Sequence, residues 1–225
     1  MQRYKVLFYD EDPSIPIDHR CISRFVQSFS NSYQKTVATI IGKSENLDYE
    51  AFRSNVVILM KSFKMTRRGA FHGISMNSNT NDIISLCWRQ VGDELKKLKE
   101  YSKENYRGKR SRILVELSSK SRNYVIQQID ELFRKLTAIK IQTGRVTPVG
   151  ASKVLFAVLP EIALPVDTSE WKHVFRTENY GEILSTMSNE IEEWEKSTEK
   201  NLESLDEHPT TLPAIYNIMA MAARP

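Results

Sequence analysis

The residues with the most chemical promise run Thr147-Pro148-Val149-Gly150-Ala151-Ser152-Lys153, followed by Pro165-Val166-Asp167-Thr168. A glycine-containing turn that opens a helix exposes free backbone N–H groups at the positive end of the helix dipole. Ser152 and Lys153 fall in the first turn of that helix, so the segment reads as a cradle for a phosphate. Asp167 ends an apolar link ahead of the next helix, where a carboxylate can cap or react. The same residues also have a plainer use. Thr147 is an N-cap and Pro148 a first helical residue, Gly150 permits close packing, and Asp167 caps a helix over Ser169 to Arg176.

Between Gly144 and Phe175 this pattern resembles the helix-hairpin-helix DNA glycosylase superfamily, whose members carry a Gly-Val-Gly hairpin opening a helix and then an apolar link ending in Val-Asp-Thr. The resemblance implies that the hairpin holds a DNA backbone, that the aspartate assists departure of a base, and, in some members, that a lysine is the nucleophile. Carried onto this chain, Asp167 is the catalytic acid, Gly150 the hairpin glycine, and Lys153 a nearby, shifted lysine. Pro148 stands where the first hairpin glycine would be.

A second group is basic. From Lys96 to Arg122 lie ten basic residues against Glu100, Glu104 and Glu116. With Tyr101 and Tyr106 interleaved, this composition suits phosphate neutralisation and base stacking. Lys109, Arg110, Arg112, Lys120 and Arg122, with Gly150 and Ser152, are the candidate nucleic-acid contacts, and DNA or RNA the candidate partner. From Glu161 to His208 the balance reverses, with thirteen acids against Lys172, Arg176, Lys196 and Lys200. That asymmetry suits a second reading: a non-catalytic helical interaction module or homodimer, in which basic and acidic regions meet within one chain or between two. A third reading rests on Arg67-Arg68-Gly69-Ala70-Phe71-His72, which resembles the R-x4-H signature of HEPN-type helical ribonucleases. There the histidine is an acid or base and the arginine stabilises phosphate charge.

Other chemistries find no footing. Cys21 and Cys87 cannot supply a four-cysteine metal or cluster site, and His19, His173 and His208 have no ligand spacing. Walker A, GxGxxG and G-x-S-x-G patterns are missing. No cofactor or metal is expected. The net charge of +4 is a mild basic bias that identifies no partner. Met1 to Asp12 hold no apolar run fit for a signal peptide and no stretch approaches a membrane span, so a cytoplasmic protein without a membrane partner is expected.

These groups must be positioned by helices. With only 8 Gly and 8 Pro, turn-rich β architecture is disfavoured, and the expected fold is mainly α: a helical bundle of about seven to nine helices with at most a small N-terminal strand pair at Tyr4–Tyr9. Residues 1–225 form a single helical domain, with 1–143 as a helical bundle and 144–225 as a hairpin-containing subdomain if it divides. The periodicity predicts a helix from about Asp18 to Ile41, then helices capped by Asp48 and by Thr80 or Asn81. Another opens at Ser121, with Gly144 as the stop after it. A helix follows from Pro148 to about Leu159, then one capped by Ser169. An acidic helix spans Tyr180–Leu205, and a final apolar one begins at Thr211.

Overall fold

Short polar side chains open most of the helices in the computed structural model, which describes residues 5–43, 47–77, 82–142, 144–205 and 210–223. Asp18, Asp48, Asp82, Ser118, Thr147, Asn179 and Thr211 each accept a hydrogen bond from a backbone N–H two or three residues on. Such caps satisfy donors that the first turn leaves open, each worth about 1 kcal/mol. Among the described residues nine α-helices form: α1 His19–Ser28, α2 Asn31–Lys43, α3 Tyr49–Ser62, α4 Ile83–Asn105, α5 Ile113–Glu116, α6 Ser119–Thr137, α7 Pro148–Val158, α8 Tyr180–Thr198 and α9 Leu212–Ala222. A hairpin of β1 Lys140–Ile141 and β2 Gly144–Arg145 pairs antiparallel, Lys140 opposite Arg145. The fold is thus a mainly α bundle with one small strand pair.

Two helices are apolar on every side. In α7 every residue from Gly150 to Val158 is buried, and so is every residue of α9 from Leu212 to Ala220. A helix without a polar face must be surrounded. Accordingly α7 packs against α3 and α6, and α9 against α1. Helices α4 and α6 run antiparallel, joined by Lys135–Glu94 at 2.8 Å near one end and by the rings of Tyr101 and Tyr124 at the other. The Phe133 and Tyr180 rings stack 4.6 Å apart between α6 and α8. One apolar cluster takes in residues from both sides of Gly144.

Several boundaries differ from the periodic pattern. The helix expected from Asp18 to Ile41 is two helices, because Phe29 is extended (ψ 157°) and its N–H bonds the Val26 carbonyl. Gln34 Nε2 donates to that same carbonyl at 2.7 Å, closing the end of α1. Asp82 caps α4; Thr80 and Asn81 lie outside the described residues. Ser118, not Ser121, opens α6. That helix ends at Thr137, and Gly144, at φ +143°, serves the hairpin instead of stopping a helix. The acidic helix stops at Thr198, where Glu199 turns left-handed, and Leu202–Leu205 form a separate turn. At the N-terminus Phe8 makes a single bridge to Pro16; Tyr4 lies outside the described residues.

Candidate functional site: the α7 turn, the Lys153–Asp167 pair and the basic segment

The turn into α7 is closed by its own side chains. Thr147 Oγ1 accepts the Gly150 N–H at 3.2 Å, and Pro148 has no N–H to offer. Gly150 is pressed against a ring: a Cβ there would lie 2.8 Å from Phe71 Cε2. Ser152 is fully buried. Its hydroxyl accepts the Val166 N–H at 3.1 Å and lies within reach of the Val149 and Val166 carbonyls. Gly150 and Ser152, expected as phosphate contacts, instead face Phe71 and Val166. Ser152 docks the α7 turn onto the strand-like link, and Gly150 lets the Phe71 ring close on the turn.

That docking brings Lys153 to Asp167. The Lys153 ammonium pairs with Asp167 Oδ1 and sits 4.0 Å from the centroid of the Phe63 ring. Lys153 is 2% exposed, whereas the Asp167 side chain keeps 31%. The Asp167 N–H donates to Glu170 Oε2 at 2.6 Å and its carbonyl accepts the Trp171 N–H at 3.0 Å, which opens a π-helical turn over Glu170–Phe175. Ser169, the expected cap, makes no side-chain capping bond; the buried Glu170 carboxylate reaches back to the Asp167 N–H instead. Close by, Asn217 of α9 donates to the Tyr33 hydroxyl of α2 at 3.1 Å. Burial, against the pull of that hydrogen bond and together with the charges of Glu170 and Asp167, pushes the Tyr33 phenol well above its ordinary pKa. Five elements thus meet in one polar knot.

An amine beside a carboxylate can in principle hand over its proton and attack a carbonyl carbon. Here the ammonium is closed in by the carboxylate and by the Phe63 ring, with almost no surface left for an electrophile. The geometry is that of a clasp. Removing one partner of such a pair strands the other charge.

The basic segment meets the acidic one inside the same chain. Arg112 holds Glu195 with both Nη atoms, at 3.0 and 2.7 Å, and also bonds Glu116. Arg122 pairs with Glu192 and donates to the Val115 carbonyl at 2.9 Å. Lys109 reaches Glu203 at 2.7 Å, and Arg110 pairs with Glu161. Four of the five cations expected to contact nucleic acid are therefore engaged within the molecule; Lys120 stands exposed. Other exposed cations of the segment are Lys96, Lys97, Lys103 and Arg107.

One residue of this region escaped the sequence reading. Tyr124 on α6 is 43% exposed, and its ring centre lies 4.5 Å from that of Tyr101 on α4. A signal existed: Tyr124 lies beside Val125, off the apolar stripe of its helix, and one turn after Lys120.

Arg67 and His72 are both exposed but share no helix. Arg67 ends a short 3-10 turn, and Gly69 (φ +77°) and Gly73 (φ +70°) bend the chain around His72. His72 lines a cleft of about 470 Å³ with Arg53 and Asp82, where Arg53 holds the Ser75, Met76 and Asn77 carbonyls and the Asp82 carboxylate. Among the described residues no group of three or more His, Cys, Asp or Glu side chains is placed to hold a metal, and no helix is long and apolar enough to cross a membrane.

No family model, curated protein or solved structure matches this chain.

Proposed function

We propose that this protein binds single-stranded nucleic acid across the α4–α6 face, without excising bases. The observation that carries this reading is the exposed Tyr124 ring, backed by the half-buried Tyr101 ring at 4.5 Å between centres, on two helices that each place a lysine one turn before the tyrosine. Lys97 precedes Tyr101 and Lys120 precedes Tyr124 by four residues, which puts each pair on one helical face. An exposed aromatic ring offers a platform to any base, and flanking ammonium groups neutralise backbone phosphates. Glu94, three residues before Lys97 on α4, is taken up by Lys135 at 2.8 Å. The enclosed Lys153 supports a binding role over base excision.

The test is fluorescence anisotropy of labelled single-stranded DNA and RNA, with duplex competitors, at low and moderate salt. Single strands should bind in preference to duplex, with affinity falling as salt rises. Absence of binding to any of them at low salt would end the proposal. Release of a base from a duplex carrying a damaged nucleotide, lost in Lys153→Met, would overturn the non-excising part.

A further inference from the structure

On a different side of α4, a cavity of about 290 Å³ opens between the end of that helix, the connection through Tyr106 to Arg110, and the chain just after α7. Its inner wall is apolar, made by Ile113, Leu159 and Ile162. Within that wall sit two buried charged groups, Lys99 at 6% exposure and Glu161 at 3%. Burial pushes the Glu161 carboxyl above its ordinary pKa, with Arg110 and then Lys99 opposing. At the mouth stand Lys103 and Arg107, both exposed.

The charges do not balance. Four cations line the cavity, Lys99, Lys103, Arg107 and Arg110, against one carboxylate, Glu161. Arg110 already pairs with Glu161, which leaves Lys99 in the wall and Lys103 and Arg107 at the mouth. The mouth is also held in shape. The Tyr106 hydroxyl lies 2.6 Å from Glu116 Oε2 and 2.9 Å from the Lys109 carbonyl. Gly108 lies flat against that phenol, where a Cβ would come within 2.5 Å of the hydroxyl oxygen. A braced cationic rim over an apolar floor binds at lower ordering cost than a mobile loop would.

We propose that this cavity is a binding site for a small phosphate monoester with a compact apolar body. The phosphate would sit between Lys103 and Arg107, guanidinium being suited to two-point contact with phosphate oxygens. The body would rest on Ile113, Leu159 and Ile162. The volume lies at the lower limit for ligand pockets, which restricts the body to roughly one ring. The site is separate from the Tyr101–Tyr124 face and does not depend on it.

Isothermal titration with phenyl phosphate, inorganic phosphate and phenol tests this. Phenyl phosphate should bind about tenfold or more tightly than either fragment, because only it uses both rim and floor. Arg107→Glu should weaken it by about tenfold or more. Lys35→Glu, the same charge change at an exposed site on α2, should leave it unaltered. Thermal melts check that both variants are folded. Equal affinity for phenyl phosphate and inorganic phosphate, or an Arg107→Glu protein that binds phenyl phosphate as the parent does, would overturn the site.

Discussion

Gly150 and Lys153, one helical turn apart, owe their identities to different neighbours. At Gly150 the constraint is steric, since a methyl group would meet the buried Phe71 ring at 2.8 Å. We expect Gly150→Ala to cost about 1–3 kcal/mol, as overpacking does, and a second change, Phe71→Leu, to recover part of that loss in a chemical melt. No recovery would mean that the glycine serves some other need. At Lys153 the constraint is electrostatic. Asp167→Asn leaves an ammonium buried under Phe63, and we expect a loss near 3 kcal/mol, the low end for a broken buried pair because Asp167 is partly exposed. Both members of the pair could be picked from the sequence, but their inward direction was not drawn from it. A signal for it was present: Val154-Leu155-Phe156-Ala157-Val158 is apolar on every face of a helix, and a lysine one residue before such a run sits in a surrounded element. Ser152 carries no such mark, because a hydroxyl suits a phosphate contact and a buried clamp equally well.

The opposed charges of the basic segment and the acidic helix are plain in the sequence at the scale of elements. Which arginine meets which glutamate is not, because Arg112 and Glu195, or Arg122 and Glu192, come together only once α5 and α6 lie along α8. Arg112 and Glu195 are each only 13% exposed, and their contact uses two parallel N–H···O bonds. A double-mutant cycle on Arg112→Ala and Glu195→Ala should therefore show a favourable interaction of about 1–3 kcal/mol, above the range for exposed pairs. A value near zero would return these cations to the list of candidates for an outside partner. The break between α1 and α2 was hidden for a related reason. Phe29 and Tyr33 keep the helical spacing across it and pack edge to face at 5.3 Å, so the apolar period runs on while the backbone turns. The polar run Ser30-Asn31-Ser32, of the types that open helices, was the available sign.

For the molecule as a whole, the N-terminal segment is held by α8 and α9 through a buried acid. Glu190 accepts the Leu7 N–H at 2.6 Å and the Tyr216 hydroxyl at 2.7 Å, yet burial still pushes its carboxyl up to about 7 from an ordinary 4.5. The folded state therefore holds this proton more tightly than the unfolded chain. The resulting stabilisation is complete below pH 4.5 and is lost as pH rises through about 7. Buried Glu161 acts in the same direction. We expect the melting temperature to fall across that window and the fall to be shallower in Glu190→Gln; an identical slope would assign it to other groups. The mainly α architecture followed from composition and period. The knot at Lys153 and Asp167 also needed α2 and α9, from opposite ends of the chain, to meet beside the α7 turn, which no local pattern carries. Tyr124 is the reverse case, a residue whose position off its apolar stripe could have shown it exposed. The most direct measurement of the proposed function is the affinity for a single-stranded oligonucleotide of Tyr124→Ala and Tyr124→Phe beside the parent protein. Stacking on one base is worth about 1–3 kcal/mol, so alanine should weaken binding by about tenfold or more while phenylalanine keeps it. Parental affinity in the alanine variant, with the fold intact, would contradict the α4–α6 face as the binding surface.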